Sequence, residues 1–146
     1  MSNITTYDFN DVNVTISHPR VGVYSMIGEG MGSITTSMAN DRTTHDVAGD
    51  GSVMVSKIRV HNGTVSVSAQ QTSPIHDWLQ KWYNYIDGAD ASEWADTKII
   101  IRAPLMKRQV TCIGVSPQKD ADLPYQAQGQ NITWALMAAD IRKIVI

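Results

Sequence analysis

The chain has 146 residues, a length that argues for one domain spanning 1–146. A chain of this size buries roughly 70% of its unfolded surface and needs no disulfide or metal staple. Twelve Lys and Arg against 14 Asp and Glu leave a net charge of −2, which argues against a dedicated nucleic-acid binder and against a polybasic membrane anchor. Cys112 is the single cysteine, so an intramolecular disulfide and a Cys-rich zinc module are excluded. Residues 1–10 lack the basic and apolar regions of a signal peptide, and no apolar run is long enough to span a bilayer.

Most of the chain reads as short strands. Val12, Val14 and Ile16 alternate with polar residues at the period of a half-buried strand, which His18-Pro19-Arg20 closes. Residues 21–27 read as a weaker second strand, broken by Gly28-Glu29-Gly30-Met31-Gly32. In 33–38, Ile34, Thr36 and Met38 share one face and Ser33, Thr35 and Ser37 the other. Asn40-Asp41 reads as a turn that returns 42–46 as the partner of this strand. After the loop 48–51, residues 53–60 are strand-like. Asn62-Gly63 then predicts a tight hairpin into 64–70, whose polar face is Thr64, Ser66, Ser68 and Gln70.

One helix is expected over about 73–87, with Ser73 as N-cap, Pro74 at the first helical position and Gly88 as a left-handed stop. Ile75, Trp78, Leu79, Trp82 and Ile86 form one apolar stripe, read as core. Residues 98–102 and 108–115 read as strands joined at Pro104. Residues 116–130 read as a long loop, a length usually reserved for function or contact. Two further strands, 131–137 and 141–146, end the chain. The predicted fold is mainly β: an antiparallel β-sandwich or half-barrel of seven to nine strands with one flanking helix.

No catalytic constellation emerges. Gly28-x-Gly30-x-Gly32 precedes an alternating strand rather than the helix N-terminus a phosphate loop needs, so it reads as a loop or bulge. His18, His45, His61 and His76 show no metal-ligand spacing and read as surface or capping residues. Cys112 reads as a buried inert thiol. Glu29, Asp46 and Asp50 lie in turn-rich stretches where acids serve local hydrogen bonds. No catalytic, cofactor-binding or metal-binding residue is assigned, and the chain is not expected to be an enzyme. Charge is uneven: six acids and two bases in 1–50, three acids and six bases in 101–146. Opposite poles of this kind suit head-to-tail association.

Several motifs resemble a known family in order along nearly the whole chain. They are Tyr7-Asp8-Phe9-Asn10-Asp11-Val12, Ser37-Met38-Ala39-Asn40-Asp41-Arg42 followed by Asp50-Gly51-Ser52, and Gly114-Val115-Ser116-Pro117-Gln118-Lys119. Residues 122–130 and the close Thr133-Trp134-Ala135-Leu136-Met137-Ala138-Ala139-Asp140-Ile141 complete the set. Together they resemble the tail tube proteins of contractile-tailed bacteriophages, which are similar to the tubes of type VI secretion and of pyocins.

The resemblance implies a structural subunit of the virion tail, made and assembled in the host cytoplasm. It implies a homo-oligomer of hexameric rings stacked into a conduit for DNA. The implied partners are tail sheath, baseplate and tail terminator proteins, with transient non-specific contact to passing DNA and no membrane partner. Within that reading, Ser33, Thr35 and Ser37 are expected to face the lumen, with Glu29 and Asp41 keeping it negative. The face of Thr64, Ser66, Ser68 and Gln70 is expected to point away from it, toward solvent or a sheath. Asp46, Asp50, Lys119, Asp122, Tyr125 and Gln128 are expected in inter-subunit loops. The alternatives are a secretion-system tube subunit, a monomeric β-sandwich binding module, and a small hydrolase using Asp46, Asp50 or Cys112.

Overall fold

Among the described residues the strand-like stretches of the sequence become nine strands, and the apolar stripe becomes an α-helix packed on seven of them. The structure is a computed structural model and describes residues 4–27 and 31–146. Strands β1 (Asn13–His18), β2 (Gly22–Ile27), β3 (Met31–Met38), β6 (Gly63–Gln70), β7 (Thr97–Ala103), β8 (Arg108–Pro117) and β9 (Asn131–Val145) form one antiparallel sheet. Its order is β2-β1-β7-β8-β9-β6-β3. Strands β4 (Thr43–Val47) and β5 (Val53–Lys57) pair only with each other. The predicted half-barrel therefore takes the form of one seven-stranded sheet, a helix on one of its faces and a two-stranded arm.

Helix α1 (Pro74–Asp87) starts one residue inside the predicted range. Ser73 stands at the N-cap without a side-chain capping bond, and Gly88 ends the helix in a right-handed conformation (φ −95°) rather than the expected left-handed one. The predicted stripe faces the sheet: Ile75, Leu79, Trp82 and Ile86 are buried, while Trp78 is half-buried at the stripe's margin. They pack against Val14 and Ile16 of β1, Val65 and Val67 of β6, Ile99 of β7, Cys112 and Val115 of β8, and Trp134 and Leu136 of β9. Trp82 Nε1 donates to Thr97 Oγ1 at 2.7 Å, and Trp78 stacks on Trp82 with centroids 6.4 Å apart. His76 Nε2 lies 3.1 Å from the Ala69 carbonyl, which corrects its assignment to the surface: the ring is buried. His18 has a capping role, its Nδ1 accepting from the backbone N–H of Arg20 at 3.1 Å and Val21 at 3.3 Å.

Both predicted hairpins around the arm are corrected. Residues 42–46 do not return against β3, and 53–60 do not turn at Asn62-Gly63 into β6. Instead β3 and β6 pair directly, Met38 against Gly63 through Ser33 against Ser68, and the arm leaves the sheet between them. Gly63 is there for closeness rather than for a turn. A Cβ on it would overlap the Ser37 carbonyl oxygen and lie 2.7 Å from Ile141 Cδ1. The long loop is shorter than predicted, 118–130, because Ser116 and Pro117 still belong to β8.

Candidate assembly surfaces

The arm follows from local chemistry with no core beneath it. Gly51 takes φ +91° at the turn, where Ala48 N donates to Ser52 O at 2.8 Å and Gly51 N to Ala48 O at 3.0 Å. Asp50 Oδ1 accepts from Ser52 N at 3.0 Å and from Ser52 Oγ at 2.7 Å, and these bonds hold the Asp50 carboxyl below its usual pKa. Five registered pairs run from Thr43–Lys57 to Val47–Val53. All ten strand residues are exposed. His45, Val47, Val53 and Val55 share one face by strand alternation; Asp46 and Met54 share the other. Val47 is 64% exposed and Val55 61%. An isolated two-stranded hairpin is marginal in water, so a valine face presented this way calls for a covering surface.

A second surface is the sheet face turned away from α1. Register lines up Ser33, Ser68 and Thr133, then Thr35, Ser66 and Ala135, then Ser37, Thr64 and Met137. These nine neighbouring positions on β3, β6 and β9 carry no charge. The expectation that Ser33, Thr35 and Ser37 face one way while Thr64, Ser66 and Ser68 face the other is overturned. Thr35 and Ser66 are directly opposed partners, so both sets lie on one wall. Asp41 is exposed beyond β3 and off this wall, and Glu29 lies outside the described residues.

The third surface is the segment 118–130, clamped to the start of α1. Gln71 N donates to Gln130 O at 3.0 Å, Gln130 N to Gln71 Oε1 at 3.2 Å and Gln71 Nε2 to Pro124 O at 2.6 Å. Lys119 and Asp122 form an exposed ion pair at 3.9 Å, Tyr125 is 83% exposed, and the Gln128 carbonyl accepts from Gln130 Nε2 at 3.2 Å. The residues predicted for inter-subunit loops thus fall in two places. Asp46 and Asp50 lie on the arm beyond the Gly63 end of β6. Lys119, Asp122, Tyr125 and Gln128 lie near its Gln70 end, about 23 Å of strand away.

Asp46 and Asp50 are exposed on the arm, whereas Cys112 is buried on β8, paired with Ile99 and Ile141. Burial pushes the Cys112 thiol up to about 11, with Lys143 pulling weakly the other way. Among the described residues no cluster of His, Cys, Asp and Glu could hold a metal, and no helix is long and apolar enough to cross a membrane. Sequence reasoning missed a cluster of cations beside the arm, Arg42, Arg142 and Lys143 around His61. Its signal was the positive C-terminal third, which gave the charge but not the place.

The family described as bacteriophage PhiTE tail tube protein matches residues 4–145. The chain belongs to this family. It is a tail tube component, and its resemblance to tail tube proteins in sequence is thereby established. No curated protein matches it in sequence. The fold of this tail tube protein is also that of parts of contractile injection systems. The tube-terminating cap of the anti-feeding prophage superposes with a TM-score of 0.66 at 11% identity, covering 100% of this chain and 95% of that one. A chain of the sheath-tube complex of an extracellular contractile injection system gives 0.63 at 10% identity, covering 97% and 93%. A chain of the sheath/tube terminator from such a system gives 0.64 at 11%, covering 99% and 100%.

Proposed function

We propose that this tail tube protein forms hexameric rings that stack into a hollow tail tube, through which phage DNA passes into the host. The observation that carries the reading is the arm: ten strand residues, all exposed, with a valine face that nothing covers among the described residues. Two open edges add to it. Among the described residues β2 and β3 each pair on one side only. Unpaired edges are a liability in a monomer and become joints in a ring.

The uncharged wall of Ser33, Thr35, Ser37, Thr64, Ser66, Ser68 and Thr133 is the lumen lining in this reading. Phosphate contacts to Lys and Arg supply most non-specific affinity for DNA. This patch of hydroxyls on β3, β6 and β9 has none, and the Lys98 and Arg102 that share the sheet face lie two strands away on β7, so the patch lets a duplex pass rather than hold it. Helix α1 on the opposite face then lies outward, where Asp77, Lys81, Asn84 and Tyr85 are exposed for a sheath protein. Baseplate and terminator proteins cap the ends, and assembly takes place in the host cytoplasm. The chain has no enzymatic role in this account.

Sedimentation velocity combined with negative-stain microscopy of the concentrated protein tests the reading. Rings and tubes with a central hole are expected. A monodisperse monomer at high concentration fits the binding-module alternative and overturns the proposal. A tube that forms in a secretion device rather than a tail shares the fold, and DNA inside purified particles separates the two.

A further inference from the structure

The cations beside the arm line an open pocket of about 340 Å³ with Met38, His61 and Ile141. Arg42 Nη1 donates to the Val60 carbonyl at 2.7 Å and lies 3.0 and 3.1 Å from the two ring nitrogens of His61. Arg142 Nε donates to Asp140 Oδ1 at 2.9 Å. Among the described residues Arg42 and Lys143 have no carboxylate within ion-pair distance. Burial, then Arg142 and Arg42, hold the His61 imidazole below its usual pKa, with Asp140 pulling the other way and Lys57 adding least. The ring is therefore neutral at neutral pH. Three cations with one counter-charge leave the pocket positive.

The segment 118–130 at the other end of the same strands carries Asp120 and Asp122, both exposed. From Asn131, where that segment ends, to Arg142 there is about 36 Å of strand. The segment is clamped at Gln71, so a chain cannot place these acids in its own pocket. We propose that the pocket of Arg42, Arg142 and Lys143 receives the Asp120–Asp122 segment of a second copy stacked head to tail. The proposal rests on the tube reading and names the partner surfaces of its stacking contact.

Two observations converge on that occupant. Charge is complementary, since Lys119 offsets only one of Asp120 and Asp122 and the segment stays net negative, and Arg–carboxylate pairing adds directional hydrogen bonds to the attraction. The arm leaves the sheet at the pocket's end, so a copy seated there also covers Val47, Val53 and Val55. Unlike surfaces joined at opposite ends of a molecule do not close on themselves, so the contact propagates along an axis.

The test is a charge swap read by the critical concentration for polymerisation. Arg142→Glu/Lys143→Glu and Asp120→Lys/Asp122→Lys should each raise it at least about tenfold, the size expected of close interfacial charge pairs. Combining all four substitutions should restore it toward the wild-type value. All these side chains are exposed, and circular dichroism with a thermal melt checks that each variant folds. Wild-type polymerisation by both paired variants overturns the inference while leaving the tube intact. Loss in both without rescue in the combination overturns the pairing. Wild-type protein that forms no polymer overturns the tube reading itself.

Discussion

Trp82→Ala tests whether α1 is core or interface. Trp82 is 0% exposed, stacks on Trp78 and donates to a Thr97 hydroxyl that is itself 1% exposed. A Trp side chain buries about 150–250 Å², equivalent to about 4–6 kcal/mol at about 25 cal/mol per Å². Alanine retains a little of this and the site relaxes in part, so the expected loss is about 3–5 kcal/mol. Trp82→Phe keeps most of the apolar volume but leaves Thr97 Oγ1 without its donor, at about 1–3 kcal/mol. Urea denaturation of dilute protein measures both, with the slope checked for constancy. If Trp82→Ala leaves the protomer within about 1 kcal/mol of wild type while abolishing assembly, the helix is an interface element and the core assignment fails.

Gly63→Ala should destabilise the protomer by about 1–3 kcal/mol or more, because the added methyl meets the Ser37 carbonyl oxygen and Ile141 together. Gly129→Ala, where nothing lies within 4 Å, is the control and should stay within about 0.5 kcal/mol in the same denaturation experiment. The thiol of Cys112 should resist alkylation at pH 8 until the protein unfolds. Because its pKa is raised from 9.0 to about 11, the stability it contributes is present below pH 9 and lost as pH rises through 11. A thermal-melt series across that range should show Tm falling in wild type and falling less in Cys112→Ala. Cysteines placed singly at Thr35 and Ser66 should label alike with a bulky maleimide in dilute protomers and both become protected in tubes. Labelling that separates the two positions would falsify the shared wall.

Most strands are legible in the sequence, as is the helix with its proline and stripe, but the two strands expected over 131–137 and 141–146 are the single strand β9. What failed was pairing. Asn62-Gly63 carries a strong local hairpin signal, but Gly63 serves the close approach of β3, β6 and Ile141, a constraint that exists only in three dimensions. Strands β4 and β5 carry Val47, Val53, Met54 and Val55 although all ten of their residues are exposed among the described residues, since apolar residues serve a partner's surface as readily as a core. One strand's alternation gives two faces but not which neighbour shares them. For that reason alternation alone leaves Thr35 and Ser66 free to lie on separate walls, and it is register that makes them side-by-side partners. His76 is buried although polar, its Nε2 lying against the Ala69 carbonyl seven residues away in sequence, a contact that the turn into α1 creates, while its Nδ1 is without a partner among the described residues.

The most direct test of the account is a cryo-electron-microscopy reconstruction of polymers grown from the purified protein. The account predicts sixfold rings stacked around an open channel, with Thr35, Ser66 and Thr133 at the inner radius, α1 at the outer radius and each arm lying on a neighbouring copy. Polymers whose channel is lined by α1, or in which the arms project freely into solvent, contradict it.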